Sequence, residues 1–373
     1  MRLKRLQFML ITCYMLWLIA SSSAVGQVSI EPLPELEMLT PINADQMVEL
    51  FALIDEDARM NEVSFNPTMP MLGYISDRHL SLWNLEQQAY LWEVELEMPQ
   101  SGYDLVFNNA GTQLVASINY ALYLWGIESN RPNLEFLNPI TANGGSVGYA
   151  GDIQFSADDS EVIVSYSRFA GISRWDSTNG ELLFDQFFND FGYANDESSI
   201  RGSLLSADGR RVVLTGSRTP TLEIRDTRAG VVLNRLRLDT LMGVVPDLDF
   251  DAYPLTFSPD NQFIVLSVSF RQNDVPFSFI IWLGVDGELI RQVEHEYGNM
   301  WAGQLSPDGQ LLALGNRENG DVYLWASNTG EELTTLRGHT SRINSLAFNS
   351  DGTLLASASD DGTVRLWGVP SGE

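Results

Sequence analysis

Residues 337–373 read RGHTSRINSLAFNSDGTLLASASDDGTVRLWGVPSGE, and this stretch decides the fold. Two strand-like runs, INSLAF and TLLASAS, flank the turn Asn349-Ser350-Asp351-Gly352. A third run, TVRLW, follows the turn Asp360-Asp361-Gly362. Short apolar runs punctuated by Asn, Asp and Gly are the chemistry of strands joined by tight turns. A unit of this size cannot bury its faces alone, so further copies are expected upstream.

The copies are present in weaker form. Aligned on the apolar residue before each first turn, they begin from Phe65, Phe107, Phe155, Leu205, Phe257, Leu305 and Phe348, at spacings of 42, 48, 50, 52, 48 and 43 residues. Each anchor leads into a turn (NPTM, NNAG, SADD, SADG, SPDN, SPDG, NSDG), and a second apolar run follows. A third run ends in Trp83, Trp125, Trp175, Arg225, Trp282, Trp325 and Trp367. Most copies continue into a fourth run, such as AYLWEVEL or VVLNRLRL.

With Gly338-His339 near its start and Trp367 near its end, the closing stretch resembles a WD40 repeat. Four antiparallel strands at a period of roughly 40–50 residues match a propeller blade. The expected fold is therefore all-β, a seven-bladed β-propeller. The last unit has only three strands, and a spare apolar run, MVELFALI, stands at 47–54. An open ring would leave two bare sheet edges. The resemblance implies closure by the N-terminal strand, so residues 47–54 are expected to pair with the strand at 363–368.

Three segments are expected: 1–26, 27–46 and a propeller over 47–373. Arg2, Lys4 and Arg5 precede an apolar run, Leu6 to Ala20, and then the small residues SSSAVG. That is the layout of a secretory signal peptide, cleaved after Ala24 or Gly26, or else retained as an N-terminal anchor. An extracytoplasmic, bacterial-type secreted protein is the expectation that follows. Residues 27–46 hold Pro32, Pro34 and Pro41 and read as an extended tether. Cys13 is the only cysteine, so a processed chain would have no disulfide. A net charge of −27 opposes nucleic acid and anionic lipid as partners.

The resemblance implies a buried tetrad of His339, Ser357, Asp361 and Trp367. Imidazole has one donor and one acceptor nitrogen, so Asp361 accepts from one and a serine hydroxyl serves the other while accepting from the indole. Ser359 shares a strand face with Ser357, and the choice between them is open from sequence. A hydrolase triad is a poor reading, because this serine is mid-strand with no strained turn to expose it. Elsewhere the pattern thins. Asp77 and Trp83 fit it in the first unit, Asn119 and Asn319 stand at the Asp position, and His295 lies one residue out of register. His79 follows Arg78 in a turn and is expected to be exposed.

No catalytic residue, cofactor or metal set emerges. Asp247, Asp249 and Asp251 alternate as Ca²⁺ ligands can, but an EF-hand loop would need a glycine and a glutamate where Ala252 and Ser258 stand. The functional signal lies four residues before each anchor, at the rim of the face shared by the loops entering each first strand. There stand Asn61, Tyr103, Gly151, Arg201, Tyr253, Trp301 and Asn344, with Arg342 and Asp360 beside them. Tyr, Trp and Arg dominate interface energetics. Extra residues at 138–151, 188–199, 239–254 and 270–275 extend the same face. Phe187, Phe188, Phe191 and Tyr193 make one insertion too apolar for a solvated loop. The expectation is a monomeric, non-enzymatic scaffold that binds a protein or peptide there. Membrane contact would come only through an uncleaved anchor. A carbohydrate- or calcium-binding propeller is the alternative, and a hydrolase or lyase stands behind it.

Overall fold

The computed structural model describes residues 32–372, apart from 56–57, 97–103, 119–120, 138–149, 167–170, 189–199, 217–219 and 246–247. Seven four-stranded antiparallel sheets stand around a central channel, making an all-β, seven-bladed propeller. Blades 1 to 6 span 60–95, 105–137, 150–187, 200–237, 248–294 and 300–336. The seventh takes three strands from 343–368 and its outer strand, Val48–Ile54, from the other end of the chain. That strand runs antiparallel to Thr363–Gly368, from Val48↔Gly368 to Ile54↔Thr363, as the spare apolar run implied. Glu49 and Arg365 add an ion pair across the join.

The join continues upstream. Leu36 bridges Pro370, the Leu39 amide donates to the Gly352 carbonyl at 2.8 Å, and Leu39 and Ala44 are buried. From Glu35 onward, then, the expected tether is docked on blade 7, because its apolar residues cover the end of that sheet. Residues 1–26, where a signal peptide is expected, lie outside the described residues, among which no helix is long and apolar enough to cross a membrane.

Each blade buries both faces against its neighbours. Between blades 7 and 1, Leu53, Ala356, Ala358, Val364 and Leu366 pack on Met60, Val63, Leu72, Tyr74 and Trp83. Register puts the third-strand aromatic at one place in each sheet, as in Leu72↔Trp83, Leu312↔Trp325 and Leu355↔Trp367, and Val212↔Arg225 occupies that place in blade 4. First strands converge on the axis with little room to spare. A Cβ on Gly202 would fall 2.6 Å from Pro254, and one on Gly303 2.8 Å from Leu255.

Candidate partner-binding rim

Most rim positions owe their aim to one local device. In blades 1, 3, 4, 6 and 7 the register of the first strand slips after its first residue. The residue left unpaired is Asn61, Gly151, Arg201, Trp301 and Asn344 respectively. A β-bulge re-aims a side chain and breaks the ladder locally, so it turns these residues onto the rim. Blade 5 differs: its strands extend to Gln272 and Val275 around the turn Asn273-Asp274, and Tyr253 stays in register with Ser267. Tyr103, Phe191 and Tyr193 lie outside the described residues, while Phe187 and Phe188 pack inward.

From blade 4 to blade 7 the rim residues touch in sequence. The Arg201 guanidinium lies 5.0 Å from the centre of the Tyr253 ring and 3.0 Å from Asp251. Tyr253 and Trp301 sit 5.4 Å apart with ring planes at 36°. Arg317 stacks on Trp301 at 3.7 Å, and Arg342 approaches the same ring at 5.8 Å. Arg342 in turn pairs with Asp360 at 3.0 Å, and Asn344 donates to Asp360 at 2.8 Å. Trp301 keeps 37 % of its surface exposed despite these contacts. Arg317 was not foreseen; its signal was its place sixteen residues after Trp301, the interval that separates Asn344 from Asp360.

The tetrad is a hydrogen-bonded unit within blade 7. His339 Nδ1 donates to Asp361 at 2.9 Å, Ser357 donates to Nε2 at 2.7 Å, and the Trp367 indole donates to Ser357 at 2.8 Å. Ser359 donates to the Ser341 carbonyl instead, which settles the serine. Burial works against the Asp361 charge, but hydrogen bonds from His339 and Thr363 outweigh it and hold the carboxyl far below its usual range. Asp77 differs from the expectation. The blade 1 hairpin is one residue shorter, Leu72↔Trp83 against Leu355↔Trp367, so Asp77 turns to Arg59 and Asn61 and repeats the Arg342-Asn344-Asp360 arrangement. His79 is half-buried rather than exposed. Its hydrogen bond to Asp55, 2.8 Å away, raises its pKa and fastens the segment after the closing strand to blade 1.

His295 reaches the blade 6 indole without its bridge. It meets Trp325 edge-on at 5.9 Å, as His339 meets Trp367 at 6.4 Å. Register places Leu314 where blade 7 has Ser357, so no hydroxyl joins Nε2 to the indole. Burial lowers the His295 pKa from 6.5 to about 4. A depressed histidine contributes stability above pH 6.5 that is lost as pH falls through 4. The contribution is about 3 kcal/mol at 1.36 kcal/mol per unit. His295→Phe should flatten the fall in Tm between pH 6.5 and 4 measured by scanning calorimetry; an unchanged profile would remove His295 from the explanation.

Three carboxylates line a channel cavity of about 420 Å³. Asp104 Oδ2 accepts from the Ile153 amide of the next blade at 2.6 Å, and Asp152 accepts from Leu205 of the blade after. Glu62 accepts from Ser345 of blade 7. Each thus places an acceptor oxygen on another blade and acts as a clamp between blades. They too were missed, although Glu62, Asp104 and Asp152 all stand three residues before an anchor. Asp251 is held by Arg201, whereas Asp247 and the Asp249 side chain lie outside the described residues. No group of three or more metal-ligating side chains gathers among the described residues.

Residues 330–368 match the family model for the WD domain, G-beta repeat. The chain is 42 % identical over 65 residues to the periodic tryptophan protein 2 homolog of Schizosaccharomyces pombe, covering 17 % of this chain and 8 % of that one. It is 27 % identical over 178 residues to the serine-threonine kinase receptor-associated protein of Gallus gallus, covering 47 % and 44 %. It is 35 % identical over 88 residues to the target of rapamycin complex subunit wat1 of Schizosaccharomyces pombe, covering 23 % and 27 %. The chain thus spans less than half the length of each, and all three are eukaryotic proteins, which lends nothing to a bacterial-type secreted relative. By sequence in its last blade, and by architecture around the whole ring, the chain is similar to the WD40 repeat proteins.

Proposed function

We propose that this chain is a non-enzymatic propeller that binds a protein or peptide on the rim of blades 4 to 7, acting as a monomer outside the cytoplasm. One observation carries the reading: a bulge turns Trp301 outward, and it keeps over a third of its surface exposed between Tyr253 and Arg317. A partly exposed aromatic held rigid by its neighbours costs little ordering entropy on binding, as interface hot spots require. The address rests on the N-terminal Arg2, Lys4 and Arg5, the apolar run and the small residues after it. Similarity to a rapamycin-target complex subunit fits an assembly role.

Trp301→Ala should weaken partner capture by about 2 kcal/mol or more, roughly thirtyfold, while Tm stays within a few degrees of wild type. A large fall in Tm would assign Trp301 to packing. Sequencing the mature N-terminus tests the address: processing predicts a chain starting at Val25 or Gln27, and an intact Met1 in the cytoplasm would refute it.

A further inference from the structure

Resting on the rim reading above, we infer that blade 6 binds a carboxylate: Trp301 and Arg317 form a receptor for an acidic peptide segment. The rim repeats one arrangement in blades 1 and 7. Arg59 and Asn61 close on Asp77, at 2.7 and 3.0 Å. Arg342 and Asn344 close on Asp360, at 3.0 and 2.8 Å. In both, the aspartate stands sixteen residues after the asparagine. Both units pair their arginine with their own aspartate and are neutral, so they offer a charged partner little.

Blade 6 places Trp301 at the asparagine position and Arg317 at the aspartate position. The charge at that point of the rim is therefore reversed, on a chain of net charge −27. Arg201 and Arg342 share their charges with Asp251 and Asp360. Among the described residues Arg317 pairs with no carboxylate, and it is exposed. Stacking 3.7 Å from the indole fixes the guanidinium plane while leaving its N–H groups free at the edge. A planar fork of donors beside exposed aromatic surface suits a carboxylate followed by an apolar side chain. The acidic remainder of the surface slows the approach of such a peptide, so selectivity comes from this local reversal rather than from long-range attraction.

The test is a displayed random-peptide library panned on the full chain and on its variants. Peptides rich in Asp and Glu are expected. Arg317→Gln should weaken them about tenfold, Arg317→Glu should move the enrichment to Lys and Arg, and Trp301→Ala should weaken capture roughly thirtyfold or more. Peptides lost with Trp301→Ala but without acidic enrichment, or indifferent to Arg317→Glu, would overturn the carboxylate and leave the rim reading standing. Capture indifferent to Trp301→Ala, or no capture, would overturn both. A dimer seen by light scattering that dissociates in Arg317→Glu would give the site to a second copy of this chain and overturn the peptide assignment.

Discussion

Glu223→Ala should destabilise the chain by about 3–5 kcal/mol, among the largest losses available to one substitution. Blade 4 is the one unit with arginine where the others have tryptophan. Arg225 lies in the sheet with 3 % of its side chain exposed, against a Glu223 side chain that is fully buried. One carboxylate oxygen of Glu223 meets Arg225 at 2.7 Å and the other meets Arg235 at 2.5 Å. The guanidinium covers the Phe188 ring at 4.2 Å and donates to the Gly230 carbonyl at 3.2 Å. Removing Glu223 takes a fully buried carboxylate away from the buried Arg225 charge, and that lost compensation for desolvation is the source of the loss. Glu223→Ser with Arg225→Trp imports the pair of blade 3, where Trp175 donates to Ser173 at 2.9 Å. Replacing a buried ion pair whole is often neutral, so the double variant should recover most of the loss. Urea denaturation of the two variants decides it; a single variant as stable as wild type would mean that water or neighbouring groups compensate Arg225.

Asp104→Asn with Asp152→Asn should raise stability at pH 8 and leave it nearly unchanged at pH 4. Burial raises the Asp104 pKa from 3.8 to about 6, and burial with the Asp104 charge raises that of Asp152 well above its usual value. Burial and the same charge raise Glu62. A carboxyl whose folded pKa is raised binds more protons folded than unfolded between the two values. Its contribution is fully present below pH 4 and is lost as pH rises through 6. For Asp104 alone the span is about 3 kcal/mol. The asparagines keep a carbonyl oxygen for the Ile153 and Leu205 amides and carry no charge. Tm measured from pH 4 to pH 8 should separate variant from wild type only on the alkaline side. His295 acts with the opposite sign, and it cancels in the difference between the two proteins. Curves that stay parallel would show that these carboxyls are solvated and titrate normally.

The period, the seven copies, the closing strand and the tetrad were legible in sequence because each is written locally. Turn residues, alternating runs and a terminal aromatic recur at fixed offsets, and one copy retains every polar partner. The register inside each hairpin was less legible. One residue fewer moves Asp77 from the indole to the rim, and one more puts Leu314 where Ser357 bridges His339 and Trp367. Counting back from a tryptophan cannot see such changes, since strand pairing rather than sequence distance sets which side chains share a face.

Sequence by itself determined that this chain is a ring of seven four-stranded blades, because backbone pairing and apolar alternation repeat with the chain. Only the tertiary structure decided what the rim positions do. It set Arg201, Tyr253, Trp301 and Arg317, which span 201–317, edge to edge across blades 4, 5 and 6. It docked the expected tether onto blade 7 and turned three channel carboxylates into clamps between blades. Contacts across blades join residues some fifty apart, and 283 apart where blade 1 meets blade 7, whose chemistry is unremarked in either repeat alone.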